Sequence, residues 1–282
     1  MNSFLSCGRF ELDLSRPRIM AIVNVTPDSF SGDGHQGVGQ ALRAAEQAVG
    51  EGAELLDIGG ESTRPGSQAV TAQEELDRVM PVVEALAQLG VPLSVDTVKP
   101  VVMAEALRYG ADLINDIAGF RVPGAIEAVA SSRAALCVMH MQGEPRTMQV
   151  APSYANVTDD VAAFLESRVA ELRGAGVDAS RILLDPGFGF GKTVTHNLTL
   201  LVSLKRFLAS GYPLLVGMSR KSMLGSITDR PVDGRLVAGS VAAFAAIEEG
   251  ARIIRTHDVG ASRDVIRMWL AIEEARLATR HN

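Results

Sequence analysis

The sequence predicts an α/β protein: a (β/α)₈ TIM barrel with a short N-terminal hairpin, one domain spanning residues 1–282. Three observations carry this. Eight short apolar runs recur along the chain, each continuous enough for a parallel strand buried on both faces. Helical apolar patterns alternate with them. Each run also ends in, or just before, a polar or ionisable side chain. In a barrel these groups would share one rim, the rim where barrels build active sites.

Phe4 to Leu14 reads as a hairpin able to cover the barrel bottom. Ile19 to Val23 then leads into Asn24. Ala41, Ala44, Ala45, Ala48 and Val49 recur at helical spacing until Gly50 and Gly52 stop the helix. Leu55-Leu56 runs into Asp57, and Leu76, Val79, Val83, Leu86 and Leu89 repeat the helical pattern before Gly90. Leu93 to Val95 leads into Asp96, and Leu113-Ile114 into Asn115 and Asp116. Leu136 to Met139 leads into His140, followed by Phe164, Leu165, Val169 and Leu172 ahead of Gly174 and Gly176. Ile182 to Leu184 meets Asp185, and Leu214 to Met218 meets Ser219-Arg220-Lys221. Val241, Ala242, Ala245 and Ala246 precede Gly250, and Ile253-Ile254 meets Arg255 and His257. Gly52-Ala53, Gly110-Ala111 and Gly250-Ala251 echo one another, each closing a helix and opening a strand. The count is eight strands and about eight helices. An open doubly wound sheet would not set eight polar strand ends in a circle. The segments Thr26 to Gly39 and Gly59 to Thr71 are long, polar and rich in Gly, Ser, Thr and Pro, as lids over a catalytic face are.

Composition narrows the function. A hydrophobic share of 47% and a charged share of 21% suit a soluble globular protein. The net charge of −6 argues against nonspecific attraction to nucleic acid or anionic membrane, so an anionic substrate needs a local basic cluster. No apolar run approaches the ~18 residues of a membrane span, and Arg9, Glu11 and Asp13 interrupt any signal-peptide pattern. The only cysteines, Cys7 and Cys137, do not make a disulfide framework, and the expected compartment is reducing cytoplasm.

Two nucleotide-binding motifs fail on position. Gly32, Gly34 and Gly37 match G-x-G-x-x-G, but Thr26 to Ser31 separate them from the strand end where the dinucleotide turn must start. Gly187-Phe-Gly-Phe-Gly-Lys-Thr193 resembles a P-loop with Pro186 where its first glycine belongs. There is no zinc-spaced Cys/His cluster and no G-x-S-x-G elbow, and His35, His140, His196 and His281 read as non-ligands.

Asp96, Asn115 and Asp185 end three different strands. Each alone could merely cap loop amides. Together they offer two carboxylates and an amide to one cavity, suited to a flat, nitrogen-rich heterocycle with adjacent N–H donors. Asp57 and Asp116 read as support residues. Ser219-Arg220-Lys221-Ser222 and Arg255-Thr256-His257 end the seventh and eighth strands, a corner where barrels often bind phosphate. His257 could equally be a satisfied core histidine. Asn24 alone is a modest Mg²⁺ ligand, because that ion keeps waters and takes substrate phosphate oxygens.

These residues carry a resemblance. From about Ile19 to Val259 the chain resembles the dihydropteroate synthase family of pterin-binding barrels. The motifs are Asn24-Val-Thr-Pro-Asp-Ser-Phe-Ser31, Asp57-Ile-Gly-Gly-Glu-Ser-Thr-Arg-Pro-Gly66, Ser94-Val-Asp-Thr97, Ile114-Asn-Asp116 and Met139-His-Met-Gln-Gly143. Asp185-Pro-Gly-Phe-Gly-Phe-Gly-Lys192, Gly217-Met-Ser-Arg-Lys-Ser222 and Arg255-Thr-His-Asp258 follow. The resemblance implies condensation of 6-hydroxymethyl-7,8-dihydropterin pyrophosphate with p-aminobenzoate, giving 7,8-dihydropteroate and pyrophosphate by an SN1-like displacement. It assigns the pterin to Asp96, Asn115, Met139, Asp185, Gly217 and Lys221, and pyrophosphate to Thr63, Arg255 and His257. It assigns p-aminobenzoate to Thr63, Arg64, Pro65, Phe190, Lys221 and Ser222, and Mg²⁺ to Asn24. Asp96, Lys221, Arg255 and His257 are then the catalytic set, and a homodimer through helices of the C-terminal half is implied. Two departures stand out: Ser31-Gly32-Asp33-Gly34 replaces the usual Ser-Asp-Gly-Gly, and Thr256 replaces a common Val. A folate-dependent methyltransferase barrel or a non-catalytic pterin-binding paralogue are the alternatives. The Thr63-Arg64-Pro65 loop and the Ser219–Ser222 segment favour the synthase.

Overall fold

A two-stranded antiparallel hairpin, β1 (Phe4–Cys7) and β2 (Phe10–Asp13), opens the chain. It is anchored by a charge pair at its turn, where Arg9 Nη2 donates to Asp112 Oδ2 at 2.8 Å. The structure is a computed structural model and describes residues 3–25, 34–62 and 67–280. Eight parallel strands follow: β3 (Arg18–Asn24), β4 (Leu55–Gly59), β5 (Leu93–Asp96), β6 (Leu113–Asp116), β7 (Ala135–Met139), β8 (Ile182–Asp185), β9 (Leu215–Val216) and β10 (Ile253–Thr256). Their order is β8-β7-β6-β5-β4-β3-β10-β9, and one parallel bridge from Leu184 to Leu214 closes β8 onto β9. The predicted barrel is therefore observed, with its hairpin.

Strand alternation explains both layers of the core. Residues pointing outward, such as Ala21, Ile58, Val95, Ile114, Val138, Leu184 and Ile254, pack against the helices. Inward residues at the bottom, Met20, Leu55, Leu113, Cys137, Leu183, Leu215 and Ile253, pack with Leu5, Cys7 and Leu14. The hairpin thus plugs the barrel floor with apolar side chains, and both cysteines are buried thiols. The polar inward layer is left for the other end.

The helices are α1 (Gly34–Glu51), α2 (Ala72–Leu86), α3 (Pro100–Arg108), α4 (Ala125–Ala130), α5 (Val157–Gly174), α6 (Val194–Val202), α7 (Lys205–Leu208), α8 (Ser222–Thr228), α9 (Leu236–Glu248) and α10 (Val259–Arg280). Among the described residues the units after β8 and β9 carry two helices each, which raises the expected eight to ten. Local sequence sets several starts. Thr71 and Glu74 form a reciprocal capping box on α2, Pro100 opens α3, and Asn156 caps α5. Two boundaries differ from the sequence pattern. Helix α2 stops at Leu86, with Leu89 packing beyond its end, and the run Leu214 to Met218 forms only two ladder residues.

Candidate active site

The inward polar layer sits directly above the apolar floor. Asp57 of β4 is fully buried there and accepts from Arg255 Nε at 2.6 Å, Ser94 Oγ at 2.5 Å and Asn115 Nδ2 at 3.5 Å. Arg255 Nη2 also donates to Asp96 Oδ2 at 3.0 Å. One guanidinium therefore bridges carboxylates from β4 and β5 while itself rising from β10. Burial opposes the Arg255 charge, but Asp57 and Asp96 outweigh it and hold the group above its ordinary range. Burial pushes Asp96 up to about 7, Arg255 pulling the other way and Asp57 adding to the rise.

Asn115 stands beside Asp96 in the β5–β6 ladder, and its Oδ1 is buried without a hydrogen-bond partner. Such an orphan normally costs stability, which fits a group kept for a ligand. Asp185 pairs with Met139 in the β7–β8 ladder, and both are buried. Burial raises Asp185, opposed first by Lys221. Burial lowers Lys221 to about 8, with Asp185 opposing. Lys221 Nζ donates to Phe188 O and lies 4.7 Å from the Phe190 ring centroid. Gly217 runs beside the Arg255 stem, where an added Cβ would lie 3.5 Å from that of Arg255. Ser222 is exposed at the start of α8.

His257 is half-buried at the mouth rather than in the core. Its Nδ1 lies 3.1 Å from Ser219 Oγ, which also accepts from the His257 backbone N–H at 3.2 Å and donates to Asp258 Oδ2 at 3.3 Å. Arg220, left-handed at φ 59°, pairs with Asp258 at 2.6 Å, so this arginine is committed to a salt bridge. Ser219 belongs to the phosphate corner expected from the sequence, whereas Asp258 closes the last motif without an expected role of its own.

The loop after β8 explains its alternating glycines. Gly187 has φ 71°, and a Cβ there would fall 1.8 Å from the His140 carbonyl oxygen. At Gly191 a Cβ would fall 2.5 Å from the Gln142 carbonyl oxygen. The chain passes against the end of β7 where no side chain fits. Lys192 turns inward under this loop, so the segment does not cradle phosphate as a P-loop would.

The structure thus brings Asp96, Asn115, Met139, Asp185, Gly217, Lys221, Arg255 and His257 to one rim, with Phe190 against Lys221. Asp57 and Asp116 hold the supporting places expected of them, Asp116 accepting from the Ala118 and Phe120 amides at 2.7 Å. Thr63, Arg64, Pro65 and Asp33 lie outside the described residues, as does most of the G-x-G-x-x-G segment's approach. Asn24 ends β3 half-exposed, its Oδ1 near Gly59. Among the described residues no three His, Cys, Asp or Glu side chains form a metal cluster. A single neutral amide oxygen at an open mouth fits a largely hydrated Mg²⁺ rather than a caged transition metal.

Comparison with known proteins agrees with this geometry. Residues 20–257 match the family described as pterin binding enzyme. The dihydropteroate synthase of Haemophilus influenzae is 49% identical over 266 residues, covering 94% of this chain and 97% of the relative. That of Escherichia coli K12 is 46% identical over 273 residues, covering 96% and 95%. A crystal structure of Burkholderia cenocepacia dihydropteroate synthase complexed with 7,8-dihydropteroate is 52% identical, with a TM-score of 0.90 over 99% of both chains. The Xanthomonas albilineans enzyme with 4-aminobenzoic acid is 45% identical, with a TM-score of 0.91 over 97% and 99%. With the barrel, its polar rim and these matches all in agreement, the chain belongs to the pterin-binding enzyme family, among the dihydropteroate synthases.

Proposed function

We propose that this barrel mouth joins 6-hydroxymethyl-7,8-dihydropterin pyrophosphate to p-aminobenzoate by a dissociative displacement, yielding 7,8-dihydropteroate and pyrophosphate. The observation behind this is the layout of charge: acids and an amide from β5, β6 and β8 face cations from β9 and β10 across one opening. Asp185 and Asn115, with Asp96 and Lys221, suit the donor and acceptor edge of a pterin, since a carboxylate can take two parallel N–H bonds. Met139 and Gly217 would flank its ring. Arg255 and His257, with Thr63, would receive the diphosphate. Phe190, Lys221 and Ser222, with Thr63, Arg64 and Pro65, would seat p-aminobenzoate.

In the reaction the methylene C–O bond breaks and its electron pair leaves on the diphosphate. Asp96, as carboxylate, stabilises the pterin cation left behind, and Arg255 stabilises the departing charge. The arylamine is nucleophilic at neutral pH. It forms the new C–N bond and then sheds a proton, so no strong general base is required. Asn24 would give Mg²⁺ one oxygen beside waters and diphosphate oxygens. Bound there, the ion would supply neutralisation of the leaving group's charge. The lids expected after β3 and β4, which would keep water from the cation, fall in large part on residues outside those the structure describes.

The methyltransferase alternative gives no reason for a cationic rim opposite the pterin acids. A homodimer is supported by the apolar side chains Leu236, Val237 and Val241 exposed on α9. A cytoplasmic setting is supported by the two unpaired cysteines, and no described helix is long and apolar enough to cross a membrane. The decisive test is a pyrophosphate-release assay with and without p-aminobenzoate. The expected result is 7,8-dihydropteroate formed one-for-one with pyrophosphate. No release with both substrates present refutes the assignment.

A further inference from the structure

We propose that Lys192 is a positioning residue for this reaction: its ammonium clamps both ends of the Gly187–Phe190 turn and thereby sets where Lys221 and Phe190 stand. The inference rests on the synthase reading above and adds to it a residue that touches no substrate.

Lys192 is only 3% exposed. Its Nζ donates to Gly187 O at 2.9 Å and Phe190 O at 3.1 Å, and lies 2.9 Å from His140 Nδ1. A longer contact reaches His140 O at 3.5 Å. Three close acceptors match the three protons of an ammonium. Burial, and then Lys192 itself, pull His140 down to about 3. The imidazole is therefore neutral, and its Nδ1 can accept while the proton sits on Nε2. Burial lowers Lys192 to about 7, with Asp185 supporting its charge.

What lies between the two clamped carbonyls is the site itself. Lys221 Nζ docks on Phe188 O and over the Phe190 ring. The Gly187 amide donates to Asp185 Oδ1 at 2.7 Å, so the same turn also steadies the pterin carboxylate. The remaining carbonyls are tied as well, Gly189 O to Gln149 Nε2 at 2.5 Å and Gly191 O to Tyr154 Oη at 2.7 Å. Five consecutive carbonyls, 187 to 191, each accept from a side chain, and Lys192 holds two of them. A lysine kept only to fill this volume would carry a desolvation cost that an apolar residue avoids. Its placement makes sense as a fixed strut beneath a turn whose upper side faces substrate.

The test compares Lys192→Met, which keeps the bulk and removes the donors, with His140→Leu and His140→Asn. Asn offers an amide oxygen near the place of Nδ1. Steady-state kinetics are run on purified folded protein. Lys192→Met should raise the KM for p-aminobenzoate by about tenfold or more, and His140→Leu by about threefold, while His140→Asn stays near wild type. A purely structural role lowers Vmax through the active fraction and leaves KM alone. Folded Lys192→Met with a wild-type KM overturns the proposal. If that variant does not fold, equal KM values for His140→Leu and His140→Asn overturn it. Failure of all three to fold also overturns it, because the pair would then belong to the core. A wild-type protein that consumes no p-aminobenzoate would instead sink the synthase reading.

Discussion

Replacing Lys221 by Met separates two electrostatic effects that otherwise act together. Lys221 and Asp185 face each other across the β8–β9 join, and Lys221 is the foremost influence holding the Asp185 carboxyl down against burial. Met keeps most of the stem and removes the charge. The direct loss is one charge-assisted hydrogen bond to the pterin, worth about 1.5–3 kcal/mol, or roughly ten- to a hundredfold in affinity. The indirect loss is that Asp185 rises further, although Lys192 and Arg255 still oppose burial there. A protonated Asp185 no longer accepts both pterin N–H bonds. Only the wild type should therefore lose affinity as pH rises into the alkaline range. In the wild type, affinity falls as pH rises past about 8, where Lys221 gives up its proton. In Lys221→Met that fall is absent, because no ammonium remains to give up its proton. Calorimetric titration with 6-hydroxymethyl-7,8-dihydropterin from about pH 6 to about pH 9 reads both slopes. Parallel pH profiles for the two proteins, or an affinity loss under about threefold, would refute the reasoning.

Arg255→Met should leave Asp57 and Asp96 buried without their shared cation, lowering stability by about 3–5 kcal/mol as well as slowing turnover. Urea unfolding checks the first effect, and unchanged stability would contradict the bridging role of Arg255. Withdrawal of Mg²⁺ with a chelator should slow pyrophosphate release by about tenfold or more and be reversed by adding the ion back. A rate indifferent to chelation removes Asn24 from its assigned part.

The barrel and its rim were legible because each strand is an apolar run with a polar end, a pattern that chain sequence displays directly. Asp96, Asn115 and Asp185 were found this way. The pairing of Asp57 with Arg255 was not, since those residues are 198 apart and meet only because β10 closes beside β3. Inward layers are set by strand stagger, which no local spacing records. Lys192 gave a related difficulty. Its glycine-rich surroundings resemble a phosphate loop and spacing excludes that, but one of its three close acceptors, His140 Nδ1, stands just past the end of a neighbouring strand. The split helices after β8 and β9 were also hidden, because short helices such as α7 carry too few residues for a periodic signal.

The barrel wall is not equally strong all round. Most neighbouring strands share ladders of three to five residues, whereas β8 and β9 touch through the single bridge from Leu184 to Leu214. Asp185 leaves one side of that gap and Lys221 the other. A heterocycle gripped by both would act as a rivet across the thinnest part of the wall, so occupancy should tighten the whole cylinder as well as fill its opening.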